Sequence, residues 1–420
     1  MTPLPQADPV LADLLHQEVE RQRSHIHLIA SENTVDYAML QAVGSVSTNK
    51  YSEGYPGRRY YEGCEVIDAV ESLAIERAKT LFDAEHANVQ PHAGSQANMA
   101  AYLAFLQPGD TILGMRLDQG GHLTHGSPVS FSGALFNIIS YGLHPETERI
   151  DMEALHDLAL EHKPNMIVGG YSAYSQIPDY QGFRDIADEV GALFLFDMAH
   201  IAGLVAGRAH PNPTPYADIV TLTTHKSLRG PRGGLILSKA EFAKQIDKAV
   251  FPYAQGGPIN SQIAGKALAF KKAAEPEFQA YATQIVRNAK VLADTMSEAG
   301  ARIISGGTEN HMFLVDVGSI DPDLTGKEAS QFLDTMGITL NRNAIPFDAR
   351  SPFITSGIRI GTPAVTAVGM KQEQMLTLGT AIVELLRRRS DPHAVATIKE
   401  SVDELIAAFP AYPAGFPGYA

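Results

Sequence analysis

Three residue types at separate points of this chain could together do chemistry on an amino acid. The first is a lysine. The stretch TLTTHKSLRGPRGG (221–234) runs from β-branched residues into His225 and Lys226, then into a basic, glycine-rich turn. A β-branched run bounded by Gly and Pro reads as a strand. Lys226 is therefore expected just past a strand's C-terminal end, where ligands bind in open α/β sheets. A lone lysine on such a loop is ordinarily solvated. The second residue, Asp197, changes that reading. It closes the apolar run LFLF (193–196), and His200 follows three residues on. A carboxylate there is costly to bury without a cationic partner. A protonated pyridine nitrogen is one such partner, and pyridoxal phosphate enzymes use a lysine for the Schiff base and an aspartate for that nitrogen. The third is Arg359 in TSGIRIGTPA (355–364). A guanidinium holds a carboxylate bidentately, as an amino-acid substrate requires; a salt bridge elsewhere is the competing reading.

A phosphate site should accompany these residues. HAGSQANMAAYLAFL (92–106) places Gly94 and Ser95 at the start of a periodic helical run. A helix N-terminus offers free N–H groups and a positive dipole end to an anion, although Ser95 is a good N-cap with or without a ligand. In GGHLTHG (120–126), His122 follows two glycines that let backbone approach a ligand closely. Its ring could stack on a cofactor or serve only the structure.

These residues must be positioned by elements legible along the chain. Val10 to Arg23 carries one apolar helical face and reads as an N-terminal arm. Residues 24–65 read as loop with short helix. From about 66 to 250 helical and strand-like segments alternate: a helix capped by Asp151 through His162, a strand at Met166, a helix from Phe183 to Val190, and strands at Leu193, Ile219 and Leu235. That alternation implies a largely parallel sheet with helices on both faces. A helical stretch from Gln262 to Ala299, broken near Pro276, leads to a strand at His311, a helix from Gly326 to Met336 and further helix over 376–408. The expected organisation is an arm with interface loops (1–65), a large α/β domain (66–280) and a smaller α+β domain (281–420). The Pro/Gly/aromatic tail AFPAYPAGFPGYA (408–420) reads as irregular.

Composition narrows the function. The formal charge of −14 argues against a general nucleic-acid or anionic-membrane partner. A single cysteine, Cys64, allows neither an intrachain disulfide framework nor a Cys-based zinc site, and no metal site is expected. No signal peptide and no membrane-spanning run is visible, since the best apolar stretch (191–207) is interrupted by Asp197 and His200. A cytoplasmic enzyme is expected.

Over residues 10 to 390 the sequence resembles the serine hydroxymethyltransferases, which are fold-type-I pyridoxal phosphate enzymes. The motifs are LIASEN (28–33), TNKYSEGYPGRRYYEGCE (48–65), NVQPHAGSQAN (88–98), GGHLTHGSPV (120–129), DMAHIAGLV (197–205), TTHKSLRGPRGG (223–234), QGGP (255–258) and SGIRIGTPA (356–364). The resemblance implies that Lys226 carries the cofactor, Asp197 pairs with its ring nitrogen and His122 stacks on the ring. It places His200 and Ser172 by the ring 3-oxygen, and Gly94, Ser95 and His225 at the phosphate. Gly257 and Tyr51 would reach that phosphate from a partner subunit. Ser31 and Arg359 would hold the substrate carboxylate. Glu53, as acid/base at the substrate hydroxyl, and Tyr61 would also come from the partner, so the functional unit is at least a homodimer. Leu117, Gly121, Leu123 and Asn343 match positions that contact the pterin of the co-substrate tetrahydrofolate.

The match has departures. Asp118-Gln119 stands where Ala-His is usual, and Ala93 where the first Ser of HSGSQAN is usual. Tyr253, Asn260, Ser261 and Gln262 depart from FPG-x-QGGPLMHVIA. Glu62 replaces Gly, and Asp36 replaces Ser. Drift within an ordinary enzyme accounts for these. So does altered substrate scope, toward α-methylserine and D-alanine or toward a folate-independent aldolase of β-hydroxy amino acids.

Overall fold

The chain's computed structural model describes residues 2–413, 415 and 416. Residues 414 and 417–420 of the C-terminal tail lie outside the described residues; 409–413 follow the last helix without a regular element.

A seven-stranded sheet forms the centre. Its strands are β1 (His86–Asn88), β2 (Thr111–Met115), β3 (Asn137–Tyr141), β4 (Met166–Gly169), β5 (Leu193–Asp197), β6 (Ile219–Thr223) and β7 (Gly234–Ser238), in the order β1-β7-β6-β5-β4-β2-β3. The five strands from β6 to β3 are parallel, and β7 is antiparallel to both its neighbours. Strands β4, β6 and β7 are buried at every residue. Covered on both faces, such strands read as continuous apolar runs rather than alternating ones. Asp197 pairs in register with Thr221 across β5 and β6. That register puts Asp197 and the turn carrying Lys226 at the same sheet edge.

The helices that matter to the site are α1 (Pro9–Arg23), α2 (Glu65–Phe82), α3 (Gly94–Phe105), α4 (Met152–His162), α5 (Tyr180–Val190), α6 (Asn260–Ala273) and α7 (Pro276–Glu298). Asp151 caps α4 by accepting from the Ala154 amide, as expected. The break near Pro276 is where proline takes the first turn of α7, a position whose amide needs no helical partner. The apolar face of α1 forms but points outward: Val10, Leu11, Leu14 and Leu15 are exposed, and only Val19 is buried.

A second, antiparallel sheet holds β8 (Arg302–Ile303), β9 (Met312–Asp316), β10 (Asn341–Asn343) and β11 (Gly357–Gly361), in the order β8-β9-β11-β10. It is backed by α7, α8 (Gly326–Thr335), α9 (Gln372–Arg387) and α10 (Pro392–Ala408). The helical stretch expected over 376–408 is two helices, because Asp391 caps α10 and Pro392 occupies its first turn.

Each sheet has its own apolar core, and α7 belongs to both. Ala282 and Ile285 pack into the first core; Leu292, Ala293 and Met296 pack into the second. Ile26 and Leu28 also lie in the second core, where Ile26–His27 pairs in parallel with Ile338–Thr339. No helix among the described residues is long and apolar enough to cross a membrane.

Candidate active site

The C-terminal edge of β5 and β6, the start of α3 and the turn after β6 enclose a cavity of about 330 Å³. Lys226, Asp197, His200, His122, Gly94, Ser95, Ser172, His225 and Ser31 all line it. So do Arg232, Glu32, His125 and Thr223.

Two lysines near this sheet, the buried Lys266 and the half-buried Lys226, show what is unusual about the second. Lys266 on α6 donates from Nζ to the carbonyls of Val89 (2.6 Å), Gly234 (2.7 Å) and Pro91 (3.0 Å). Burial lowers its ammonium to about 7, with Glu71 opposing the shift, and the three carbonyls are its partners. Lys226 makes no hydrogen bond or ion pair through Nζ among the described residues. Burial lowers its ammonium to about 8; Asp197 opposes the shift, while Arg359 and Arg232 add to it. A desolvated, unpartnered amine is the state of a nucleophilic lysine.

Asp197 is buried. Its Oδ2 accepts from Asn98 Nδ2 (2.8 Å) and His125 Nε2 (3.2 Å), and its Oδ1 from the Ala199 amide (3.0 Å). Burial alone would raise its carboxyl. The His125 hydrogen bond and the positive charges nearby outweigh that and hold it well below the usual carboxylate range. The site thus keeps an anion ready for a cation that enters the cavity.

Burial disfavours the charged form of four histidines near it. Burial, then the neighbouring His125, brings His122 down to about 4, and burial, then Arg232, brings His225 to about 3. His225 Nδ1 is buried without a partner. His200 stacks against His311, with Nδ1 3.3 Å from His311 Nε2, and both sit far below the ordinary imidazole range through burial. His311 precedes β9 and comes from the other sheet, so no sequence spacing links it to His200.

At the anion end, Ser95 is the second residue of α3, not its N-cap. Ala93 precedes the helix and makes no side-chain cap bond. The Ser95 hydroxyl and the first amides of α3 face the cavity edge unspent on capping. A Cβ on Gly94 would lie 2.5 Å from Thr223 Cγ2, so only glycine lets α3 approach β6 this closely.

Arg359 lies on β11, opposite Asn341 and Leu314. Nη1 donates to the Ser172 carbonyl (2.6 Å) and Nε to Asn341 Oδ1 (3.1 Å). No carboxylate pairs with it among the described residues, and burial lowers it to about 10. Arg359 is half-buried and does not line the lysine cavity, but it bonds Ser172, which does; a guanidinium with no carboxylate partner can hold a carboxylate bidentately.

The remaining expected residues sit elsewhere. Tyr51, Glu53, Tyr61 and Gly257 do not line the Lys226 cavity of their own chain. Tyr61 donates a short hydrogen bond to Glu53, its ring meets Tyr51 edge-on at 5.8 Å, and the Tyr51 ring lies over Gly257. Glu53 borders a separate open cavity of about 480 Å³ with Gly256 and the exposed Tyr253. Leu117 and Leu123 are exposed on two short turns. Gly121 donates to the Arg116 carbonyl (3.0 Å), and Asn343 pairs with Gly357 on β10. None of these four lines the lysine cavity.

Four of the departures from the family motifs have partners within the chain, and two of these, Gln119 and Asn260, are buried. Gln119 is buried and accepts from the Leu143 amide (2.7 Å). Asp118 pairs with Arg116 at 2.9 Å. Asp36 caps the helix Tyr37–Val43 and pairs with Lys272. Asn260 is buried, accepts from Ser52 Oγ (2.8 Å) and donates to the Lys50 carbonyl.

The profile of the serine hydroxymethyltransferase family matches residues 4–382. The chain belongs to the serine hydroxymethyltransferase family. A serine hydroxymethyltransferase of Coprothermobacter proteolyticus is 58% identical over 97% of both chains. Another, of Koribacter versatilis, is 57% identical over 98% of this chain and 96% of its own. Serine hydroxymethyltransferases are pyridoxal phosphate enzymes, and the cavity fits that group. It offers an unpartnered amine, an ionised buried carboxylate, an orphaned imidazole nitrogen on His225 and an uncapped helix start.

Proposed function

We propose that the chain interconverts L-serine plus tetrahydrofolate with glycine plus 5,10-methylenetetrahydrofolate, as a homodimer with shared active sites in the cytoplasm. The observation that carries this reading is that one cavity holds a half-buried lysine amine, unpartnered among the described residues, and a buried, ionised carboxylate. Pyridoxal phosphate, attached through Lys226, supplies an electron sink for the pair released when a bond at the substrate Cα breaks. Gly94, Ser95 and His225 hold its phosphate. Asp197 would hold the proton on the cofactor's ring nitrogen, and His122 and His200, both neutral, would line its site without competing for that charge. Arg359 and Ser31 bind the serine carboxylate, which orients the Cα–Cβ bond. Glu53 of the partner subunit holds the proton at the serine hydroxyl oxygen, with Tyr61 of the partner subunit beside it. Leu117, Gly121, Leu123 and Asn343 receive the pterin.

Two observations support the shared site. The Tyr51–Glu53–Tyr61–Gly257 cluster stands apart from its own chain's lysine cavity. The apolar face of α1 is left exposed by the described residues. The division into an arm (1–65), a cofactor domain (66–280) and a small domain (281–420) is part of the same proposal, with α7 as the shared beam.

Absorption of Asp36, Gln119 and Asn260 into internal hydrogen bonds supports serine over α-methylserine as the substrate. Rates with each amino acid, measured with and without tetrahydrofolate, test this. Serine turnover that requires tetrahydrofolate and exceeds that of α-methylserine is expected. Faster α-methylserine turnover, or folate-independent serine cleavage at the same rate, would overturn it.

A further inference from the structure

We propose that Asn98 is a positioning residue that fixes both the carboxylate of Asp197 and the tautomer of His122, the two groups read as facing the cofactor ring. The inference rests on the cofactor reading above. Asn98 lies one turn into α3 and is fully buried. Its Nδ2 donates to Asp197 Oδ2 (2.8 Å) and to Thr124 Oγ1 (2.8 Å), and its Oδ1 accepts from Thr221 Oγ1 (2.5 Å). All of its amide capacity toward these groups is thereby used.

The proton positions follow. Flipping the amide would set its oxygen against the Asp197 carboxylate, two acceptors face to face with no proton between them. The amide orientation is therefore fixed by Asp197. Thr124 Oγ1 accepts from Asn98, which leaves its own proton free to point to His122 Nδ1, 2.7 Å away. The Thr124 amide also donates to that nitrogen (3.2 Å). With two donors aimed at it, Nδ1 is an acceptor and the proton of neutral His122 sits on Nε2. One asparagine thus links the ring-nitrogen partner, the stacking imidazole and, through α3, the phosphate end at Gly94–Ser95.

The chemistry of the link supplies its test. Asn98→Asp keeps the shape and turns the donor into an acceptor. With both carboxyls ionised, Asp197 loses a donor and gains a repelling neighbour. Protonation of the new carboxyl restores an O–H donor to Asp197. The pyridoxal phosphate dissociation constant of N98D should exceed that of the wild type by about tenfold or more at pH 8.5. The ratio of the two should shrink as pH falls toward 5.5. A packing defect would give a ratio independent of pH. A constant ratio, or dissociation constants within twofold at pH 8.5, overturns the proposal.

Thr124→Val cuts only the branch to His122 and serves if N98D does not fold. In 15N-histidine-labelled holoenzyme, wild-type His122 Nδ1 should resonate as an unprotonated nitrogen and shift toward mixed tautomers in T124V. An unmoved resonance overturns the assignment. If the wild-type protein fails to bind pyridoxal phosphate at all, the cofactor reading falls; wild-type binding with a flat N98D ratio removes the Asn98 role alone.

Discussion

At the scale of single residues, the contrast between Lys226 and Lys266 separates chemistry from architecture. Lys266, buried on α6, has three carbonyl partners, and Lys226, half-buried in the turn after β6, has none through Nζ among the described residues. Lys226→Ala should abolish the absorbance band that bound pyridoxal phosphate gives at the edge of the visible; an unchanged band would remove Lys226 from its role. Capture of the cofactor by apoenzyme needs the neutral amine. Because burial sets the ammonium near 8, the capture rate should rise with pH through that value and then level. A midpoint near that of an ordinary lysine, 10.5, would contradict it. For Arg359, a point charge cannot reproduce the planar fork. Arg359→Lys should raise the KM for serine by about tenfold or more, with cofactor absorbance retained. An unchanged KM would show that the carboxylate binds elsewhere.

At the scale of elements, the site depends on how closely α3 approaches β6 and how firmly the following turn is held. Gly94 sets the approach, because any side chain there would collide with Thr223. Lys266 sets the hold: its ammonium ties the strand-end carbonyls of Val89 and Pro91 to Gly234 at the start of β7. Lys266→Met leaves those carbonyls buried without this donor. It should cost about 2–4 kcal/mol of stability, read as a lower urea midpoint, while Lys226 still binds the cofactor in the fraction that folds. A midpoint equal to the wild type's would show that the carbonyls find other partners.

At the scale of the whole molecule, the residues proposed for one site border two separate cavities of the chain. The lysine cavity lies at the sheet edge, and the Glu53 cluster lies in a separate cavity. If two copies complete each other, Lys226→Ala and Glu53→Gln subunits should complement. A mixed dimer then has one site with both lesions and one with neither. Random reassembly of equal amounts should restore about a quarter of wild-type activity, since half the dimers are mixed and each has one intact site. Activity no higher than that of the separate variants would place both residues in the site of a single chain. The two cores joined by α7 suit this arrangement, and Arg359 on the second sheet also reaches Ser172 in the loop after β4 of the first.

The amino-acid sequence by itself determined the α/β class, the strand-end positions of Asp197 and Lys226 and the helix start at Gly94–Ser95. Each rests on local signals: β-branched runs, apolar periodicity and glycine at a turn. It also carried the motifs that mark the family. Only the tertiary structure decided which polar groups are left without partners. Lys226 and Lys266 are both lysines beside apolar strands, and nothing local tells the unpartnered amine from the satisfied one. His311 against His200, Asn98 between Asp197 and Thr124, and the internal use of Gln119 and Asn260 were equally illegible. Each depends on residues distant in sequence meeting in a dry interior. There a hydrogen bond made or missing sets the charge state, and a one-dimensional pattern records neither the meeting nor the burial.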